Sequence, residues 1–247
     1  MTTVPNLVIA GLHNLRDVGG ISVPGGSTVR RDRLFRSAAP MRPGPSFVAD
    51  VTALGICRVV DLRDEGEQRL TPHLWEESGV TVHRVPVFGN RLHELRFADL
   101  AELYRIMLAG HGAALGQAFR TLTAGGPQPT LVHCTAGKDR TGLLVALALE
   151  VLGADRADVL ADYVVSQTML GAAYLDDLAA IAGRGPLPGA HAHRATASPA
   201  ELLEESLAHL DQQYGGALAY LTAHGVTDDD VAAWRAAMLQ PSAAATR

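Results

Sequence analysis

The pattern of apolar and polar positions predicts strands interleaved with helices over the first 150 residues. Two compact β-branched segments, ICRVVDL from residue 56 and VTVHRVPV at 80–87, predict buried strands, and PTLVHC at 129–134 predicts a third. GISVPGGSTVRRDRLFRS alternates around Gly25 and Gly26, which predicts a short hairpin. Strands that alternate with helices indicate an α/β fold with a central, mostly parallel sheet flanked by helices on both faces.

Apolar periodicity in the intervening segments predicts the helices. PSFVADVTALG is expected to end at Gly55, and TGLLVALALEVLG at Gly153. Residues 92–124 are expected to form two helices broken near AGHG. These segments supply the layers that cover the sheet.

The C-terminal third of the chain predicts further helices. DRADVLADYVVSQ is expected to be capped by Asp155, and SPAELLEESLAHLDQQYGG opens with a capping box from Ser198 to Glu201, with Pro199 at the first helical position. ALAYLTAHG and DDDVAAWRAAMLQ follow as helices, and the final PSAAATR is expected to fray.

Length and composition favour one domain over residues 1–247, because a chain that is 47% apolar and 19% charged can bury one sizeable core. Residues 182–197 are rich in Gly, Pro, Ala and His and predict a mobile loop. The expected parts of the domain are an N-terminal hairpin segment at 1–40, a loop and helix at 131–153, a candidate lid at 168–198 and C-terminal helices at 199–240.

Charge and cysteine usage exclude several classes of function. A net charge of −5 gives no broad basic field for nucleic acid. The sequence contains no run of roughly eighteen apolar residues, so no stable membrane insertion is expected. The N-terminus lacks the basic region of a secretory signal, so a cytoplasmic protein is expected, with export by another route left open. Two cysteines form no disulfide framework or zinc cluster, and His191 and His193 have no suitably spaced third ligand. No metal and no cofactor are therefore expected.

The segment HCTAGKDRTG at 133–142 has the residue types of a phosphate-handling loop. Cys134 ends a predicted strand, Arg140 follows six residues later, and RTG opens a helix. Backbone N–H groups at such a helix N-terminus converge on one point, and the helix dipole attracts anions. Gly137 supplies the backbone freedom that a tight loop requires. A cysteine nucleophile with an arginine clamp is suited to phosphate esters.

The spacing of cysteine and arginine is not specific by itself. Cys57 and Arg63 show the same spacing in CRVVDLR, but that segment is a predicted strand without glycine. Cys57 is expected to be a small core residue, and the alternative is a resolving thiol for oxidised Cys134. The context of Cys134, and not the spacing, therefore carries the prediction.

The chain resembles the bacterial tyrosine/serine protein phosphatase family. The segments that carry the resemblance are HCTAGKDRTG, NLRDVGG at 14–20, LFRS at 34–37, GICRVVDLR at 55–63, ADYVVSQ at 161–167 and YGGALAYLTAHGV at 214–226. The resemblance implies a cysteine-dependent phosphatase fold of four or five mostly parallel strands without metal. It also implies activity on phosphotyrosine, phosphoserine or phosphothreonine and, for some members, phosphoinositides.

The resemblance implies roles for the residues of the loop. Cys134 would attack phosphorus to form a phosphocysteine, and Arg140 would bind two equatorial oxygens. Thr141 would hydrogen-bond the sulfur, and His133 would orient the loop. The expected substrate-binding residues are Thr135, Ala136, Gly137, Lys138 and Thr141, with the backbone amides of 135–140 completing the cradle. Outside the loop, Arg16, Asp17 and Arg36 are expected to pack or pair around it, and the alternative is direct contact with the phosphate.

The proton source is expected inside the loop. Many cysteine-dependent phosphatases carry the proton donor as an aspartate on a separate loop that follows another strand. In this chain the corresponding stretch is PVFGNRLHE, where Gly89 and Asn90 stand in place of a carboxylate. Asp139 is therefore the candidate catalytic acid, and the alternative is that it only orients Arg140 or Lys138. Asp61 and Asp64 follow a strand and could face the site, although ion pairs with Arg63 or Arg58 are the simpler interpretation.

Lys138 is the only lysine in a chain with twenty arginines, and it adds charge beside the expected phosphate. The partner is thus expected to be a phosphorylated protein or, as an alternative, a phosphoinositide. A non-catalytic phosphate-binding module would be expected to lack the cysteine or the arginine, and both are present. A sulfurtransferase also uses a cysteine loop, but RTG at the helix start disfavours it.

Overall fold

The computed structural model describes residues 7–71, 75–183 and 185–242, and a five-stranded sheet forms its centre. The strands of the described residues are β1 (Arg16–Asp17), β2 (Ser22–Val23), β3 (Ser27–Val29), β4 (Leu34–Ala38), β5 (Arg58–Asp61), β6 (Thr81–Arg84), β7 (Thr130–Cys134) and β8 (Leu239–Pro241). The central sheet has the order β1-β4-β7-β5-β6, in which β1 is antiparallel to β4 and the other pairs are parallel. The predicted α/β fold with a mostly parallel sheet is confirmed.

Helices cover both faces of this sheet. They are α1 (Phe47–Ala53), α2 (Glu65–Gln68), α3 (Leu100–Gly110), α4 (Gly112–Thr121), α5 (Asp139–Leu152), α6 (Arg156–Met169), α7 (Ala172–Ile181), α8 (Gly189–Thr196), α9 (Ala200–Tyr214), α10 (Ala217–Ala223) and α11 (Asp228–Met238). Along the strands, Val60 and Val132 enter the core that contains α5, while Val59 and Leu131 enter the core on the other face with Phe47. This alternation is the ordinary consequence of the two-residue period of a strand.

The central helix α5 is apolar on nearly all sides. Its residues are buried except Asp139 and Glu150, and it packs on β7 and against α4, α6, α10 and α11. Because this helix is buried on all sides, its position is fixed, and it forms a rigid base for the loop that leads into it. The predicted end of this helix is confirmed, since Gly153 adopts φ +86° at its C-terminus.

The register of the parallel strands brings three strand ends to one edge. Ala38 pairs with Cys134, and Asp61 pairs with His133. In open α/β sheets, ligands bind beyond the carboxyl ends of the strands. The loop after Cys134 lies at this edge, beside the ends of β4 and β5.

Several local predictions are confirmed. The hairpin of β2 and β3 turns through Gly25 and Gly26, which have φ values of +86° and +74°. The first helix ends before Gly55, and the helical stretch of 92–124 breaks between α3 and α4 at His111. β8 adds a third strand to the hairpin, which brings the end of the chain onto its beginning.

Two predictions about buried strands and helix length were wrong. β6 is the edge strand of the sheet and is only partly buried, because no further strand covers it. Residues 92–99 contain a short 3₁₀ turn at Leu92–Glu94 and no α-helix, and α3 begins after its cap, Asp99. The side chain of Asp99 accepts from the N–H of Glu102, which fixes that start.

The C-terminal third also departs from prediction. The loop expected over 182–197 contains a helix, α8. Ser198 forms no capping box with Glu201; its hydroxyl donates to the backbone oxygen of Val164 on α6, so tertiary contact replaced local capping. Asp155 is the residue before α6, without a side-chain cap.

The predicted fraying of PSAAATR falls largely on 243–247, outside the described residues. Among the described residues, no helix combines the length and the apolar character needed to cross a membrane.

Candidate active site

The loop of residues 135–138 connects Cys134, at the end of β7, to Asp139, at the start of α5. Gly137 has φ +65°, and a Cβ at this position would lie 1.9 Å from the backbone oxygen of Ser37. Any larger residue would push the loop away from the end of β4. Glycine is therefore required for the loop to pack against the sheet edge.

The backbone carbonyls around the loop are hydrogen-bonded to surrounding donors. The oxygen of Cys134 contacts Nδ1 of His133 at 3.2 Å, and the oxygen of Thr135 accepts from the N–H of Ala39 at 3.1 Å. The oxygens of Ala136 and Gly137 accept from Nδ2 of Asn14 at 3.0 and 3.1 Å, and the oxygen of Gly137 also accepts from Nη2 of Arg36 at 2.9 Å. The oxygen of Lys138 accepts from the N–H of Gly142 at 2.8 Å.

The amide groups of the same peptides are free. Among the described residues, the N–H groups of 135–140 have no hydrogen-bond partner. Because the C=O and N–H bonds of a trans peptide point in opposite directions, these N–H groups are turned away from the donors that hold the carbonyls. The loop therefore presents a set of donors at the N-terminus of a buried helix, which is an arrangement that binds anions.

A buried polar network holds Asn14 and Arg36 in these positions. Asp162 on α6 accepts from Nε of Arg16 at 2.8 Å and from Nη1 of Arg36, and Arg16 donates to the side-chain oxygen of Asn14. Burial raises the pKa of Asp162, but the charges and hydrogen bonds of the two arginines outweigh burial and lower it to about 2. Asp162 is thus charged at neutral pH and joins α6 to β1 and β4 beneath the loop.

Arg16 and Arg36 therefore lie around the loop, where they were predicted, but Asp17 does not. The carboxylate of Asp17 accepts from the N–H groups of Gly19 at 2.9 Å and Asp32 at 3.1 Å. Successive residues of a strand point to opposite faces, so the side chain after Arg16 is directed away from the loop. Asp17 stabilises the turns beside the hairpin, and its predicted place beside the loop was wrong.

Arg140 meets a carboxylate that the sequence analysis did not single out. Glu67 on α2 accepts from both Nη atoms of Arg140 at 2.6 Å, and it also accepts from Oγ1 of Thr135. Burial raises the pKa of Glu67, but the charge of Arg140 and these hydrogen bonds lower it overall. Nε of Arg140 has no hydrogen bond to any described residue. Glu67 therefore holds one side of the guanidinium group and leaves the other side available.

A sequence signal for Glu67 existed. Oε2 of Glu67 accepts from the N–H of Asp64 at 3.0 Å, in the capping-box spacing that opens α2. This spacing directly follows β5, whose carboxyl end lies at the same sheet edge as Cys134. A capping box at that edge places its second carboxylate beside the loop.

The nucleophile candidate Cys134 is buried, with 2% of its surface exposed. Thr141, predicted to hydrogen-bond its sulfur, is also buried, and its hydroxyl has no hydrogen-bond partner among the described residues. The predicted bond is therefore absent from this structure. His133 contacts the oxygen of Cys134, and burial lowers the pKa of His133 to about 4, so the imidazole is neutral at neutral pH. This geometry is suited to orienting the loop.

Lys138 was predicted to add charge beside the phosphate, and in this structure its ammonium group has protein partners. Its Nζ donates to the backbone oxygens of Arg194 at 2.8 Å and Ala197 at 2.7 Å, at the C-terminal end of α8. Its third neighbour is Oδ1 of Asp139, at 3.5 Å. The ammonium group thus holds α8 against the loop, where the negative end of the helix dipole favours a cation.

Asp139 lies at the mouth of the loop. Its side chain is 20% exposed, and Oδ1 accepts from the hydroxyl of Tyr104 at 3.3 Å. Tyr104 is itself bonded to the hydroxyl of Tyr163 at 2.8 Å. The carboxylate therefore has fixed neighbours and remains open to solvent, as an acid-base group requires.

The other acidic candidates are structural in this arrangement. Asp61 forms a buried ion pair with Arg63 at 2.8 Å, as the simpler interpretation predicted. Oδ2 of Asp64 accepts from the N–H of Leu92 at 2.8 Å. Asn90, which stands where a separate-loop acid was sought, accepts from the N–H at the start of α2. None of these groups replaces Asp139.

Cys57 is exposed and lies just before β5, so its predicted place in the core was wrong. Cys134 lies at the carboxyl end of the neighbouring strand β7. It is next to His133, which pairs with Asp61 at the carboxyl end of β5. Four to five residues of strand separate the two thiols, roughly 15 Å. A disulfide requires Cα atoms within about 7 Å, so Cys57 is not placed to resolve an oxidised Cys134.

A small apolar cavity of about 70 Å³ opens beside the loop. Its walls include Thr135 from the loop, Leu70 after α2 and Leu178 from α7. Leu70 is 62% exposed at its rim. Within the described part of the chain, no group of three or more His, Cys, Asp or Glu side chains is placed to hold a metal ion.

A cysteine at the end of a strand, an arginine on the following helix and a set of backbone donors at the N-terminus of that helix together define the class of cysteine-dependent phosphatases. The sequence model of the tyrosine phosphatase family matches residues 7–240. The chain belongs to the tyrosine phosphatase family.

Two relatives that are similar in sequence agree with this membership. A protein of Cupriavidus necator is 31% identical over 87% of this chain and 82% of its own length. The triple specificity protein phosphatase PtpB of Mycobacterium tuberculosis is 32% identical over 64% of this chain and 68% of its own length. Among solved structures, the core catalytic domain of the PP-IP phosphatase SIW14 from S. cerevisiae is similar with a TM-score of 0.41 at 14% identity, covering 84% of this chain and 98% of that chain.

Proposed function

We propose that the protein hydrolyses phosphate monoesters, with phosphotyrosine in proteins as the principal substrate, through a phosphocysteine intermediate on Cys134. The observation that carries this proposal is the loop whose carbonyls are held by surrounding donors while the N–H groups of 135–140 have no hydrogen-bond partner among the described residues. Such a cradle binds the phosphoryl oxygens and stabilises the charge that develops on them in the transition state.

The reaction has two steps. The Cys134 thiolate attacks phosphorus, the P–O bond to the leaving group breaks, and that oxygen takes a proton. Water then attacks the phosphocysteine, the P–S bond breaks and inorganic phosphate leaves. Arg140 binds phosphoryl oxygens from the side of Nε, which has no partner among the described residues, while Glu67 fixes the orientation of the guanidinium group.

Asp139 is the proposed proton donor of the first step and the base for water in the second. Its carboxylate is partly exposed and is held by Tyr104. Asp139→Asn should lower kcat more for an alkyl phosphate than for an aryl phosphate, because a poor leaving group needs the proton more. Asp158→Asn, an exposed position on α6, is the matched control. Equal losses for both substrates would move the acid role to another residue.

The mechanism is tested by Cys134→Ser, assayed on p-nitrophenyl phosphate in the presence of EDTA. We expect hydrolysis to fall by roughly four orders of magnitude or more, because the hydroxyl is a far weaker nucleophile than the thiolate. Cys57→Ser is the matched control and should keep wild-type activity, since Cys57 lies at the other end of the sheet. Activity in Cys134→Ser, or inhibition of the wild type by EDTA, would contradict the mechanism.

Phosphoinositides are the alternative substrates. The lysine that suggested them has its ammonium group occupied by the carbonyls of α8 and by Asp139, and the adjacent cavity is apolar. We therefore expect a higher kcat/KM for a phosphotyrosine peptide than for a soluble phosphoinositide in a side-by-side assay. A preference for the phosphoinositide would show that Lys138 leaves α8 to bind a second phosphate.

Residues 168–198 form the proposed lid. α7 is anchored by Asp177, which contacts His13 at 2.8 Å and Arg42 at 3.4 Å, and Tyr174 is buried against the body. α8 is held by Lys138. The segment thus lies beside the loop through polar contacts of both helices and through the apolar cluster of Tyr174, and this position supports its proposed role as a cover of the site.

A further inference from the structure

Trp75 packs behind the loop, on the sheet face opposite α5. Its side chain is 2% exposed and lies against Phe47, with ring centroids 5.4 Å apart. Its indole Nε1 is 3.1 Å from Nε2 of His133, the residue before Cys134. The proposed mechanism does not use this contact.

The contact decides which nitrogen of the imidazole carries the proton. An indole nitrogen only donates, so Nε2 of His133 must accept. Burial keeps the ring neutral, since the pKa of His133 is lowered to about 4, and a neutral imidazole has a single N–H. The hydrogen is therefore on Nδ1, which donates to the backbone oxygen of Cys134 at 3.2 Å.

The charged groups that face this ring favour the same state. Oδ1 of Asp61 lies 3.8 Å from Nδ1, so it also favours a proton there. Arg63 and Arg140 oppose a second proton on the ring. If Nδ1 lost its proton, its lone pair would face both the Asp61 carboxylate and the Cys134 carbonyl, and the ring or the peptide would turn away.

We propose that Trp75 is a positioning residue of the phosphatase reaction, which acts through His133 to fix the orientation of the Cys134–Thr135 peptide. With the carbonyl held by Nδ1, the N–H of Thr135 points in the opposite direction. A rotated peptide would remove this donor and place an acceptor among the donors of the anion cradle. The inference rests on the proposed function, because it concerns the same loop.

A double-mutant cycle tests the proposal. Trp75→Phe keeps an aromatic ring but removes the N–H, and His133→Asn keeps a donor near the Nδ1 position without a second nitrogen that needs Trp75. With His133 present, Trp75→Phe should lower kcat/KM for p-nitrophenyl phosphate about five- to tenfold, mainly through kcat. In the His133→Asn background, the same change should cost less than about twofold. Phe47→Leu loosens the packing of Trp75 without removing its N–H and should stay near wild type.

Nitrogen NMR of histidine-labelled protein gives an independent readout. The wild type should show one imidazole with a protonated Nδ1 and a bare Nε2 that does not titrate between about pH 5 and pH 8. Trp75→Phe should lose this pattern. An equal kinetic cost in both backgrounds would reduce Trp75 to a packing residue, and an unchanged NMR pattern in Trp75→Phe would also overturn the proposal. Neither result would affect the phosphocysteine mechanism, which is tested separately by Cys134→Ser and by EDTA.

Discussion

A phosphate-binding arginine has to stay charged and keep one side of its guanidinium group free. In this protein Glu67 provides both conditions, because it binds the two Nη atoms of Arg140 and leaves Nε without a partner in the part of the chain that the structure describes. Phe88 lies against the same guanidinium, 5.4 Å from its carbon to the ring centroid. The residue that the structure adds beside Cys134 and Arg140 is thus a carboxylate, although the site is proposed to bind anions.

We predict that Glu67→Gln lowers kcat/KM for aryl phosphates by roughly ten- to a hundredfold, because Arg140 loses a charged partner and the geometry that it imposes. Steady-state kinetics checks this, with inorganic phosphate as a competitive inhibitor to report binding. Glu65→Gln is the control, since Glu65 is an exposed neighbour on the same helix whose carboxylate contacts Arg69 at 3.8 Å and Nδ2 of Asn90 at 3.4 Å. Unchanged kinetics in Glu67→Gln would show that Arg140 is positioned without it.

At the scale of elements, α8 shows what the ammonium group of the only lysine in the chain contacts. The sequence predicted a loop from the Gly, Pro and Ala content of 182–197, but eight of these residues form a helix. The helix ends on the ammonium group of Lys138, a compact donor that reaches two carbonyls and a carboxylate together. The composition of the segment predicted weak local structure. The contact with Lys138, which is distant in sequence, binds the C-terminal end of the helix.

We predict that Lys138→Met releases α8 while the central sheet stays folded. Amide hydrogen exchange in α8 should become roughly tenfold faster or more, because hydrogen bonds from a charged donor contribute about 1.5–3 kcal/mol each. Amides of α9 serve as the internal reference, and Arg105→Met, an exposed site on α3, is the control variant. Unchanged exchange in α8 would mean that other contacts hold this helix.

At the scale of the whole molecule, Asp162 connects parts of the chain that are far apart in sequence. It binds Arg16 of β1 and Arg36 of β4, and these residues support Asn14 and the loop. Removing one partner of a buried pair leaves an uncompensated charge, which is more costly than the net value of the pair. The network therefore couples the shape of the active site to global stability.

We predict a pH dependence of stability from this residue. The pKa of Asp162 is lowered from 3.8 to about 2 in the folded state, so its contribution is complete above about pH 4 and is lost as pH falls toward 2. Denaturant unfolding should show Asp162→Asn less stable than wild type at pH 6, with the difference shrinking by roughly 2 kcal/mol between pH 5 and pH 2. A constant difference over that range would show that Asp162 is not the titrating group.

The sequence by itself determined the alternation of strands and helices, the position of the loop between Cys134 and Arg140, and the glycine at 137. These features depend on local periodicity and backbone conformation, which neighbouring residues encode. Only the tertiary structure decided that Asn14 and Arg36 hold the loop carbonyls, that Glu67 orients Arg140, and that Lys138 binds α8. Each of these contacts joins residues more than fifty positions apart, and a hydrogen bond or ion pair depends on distances that no local pattern specifies.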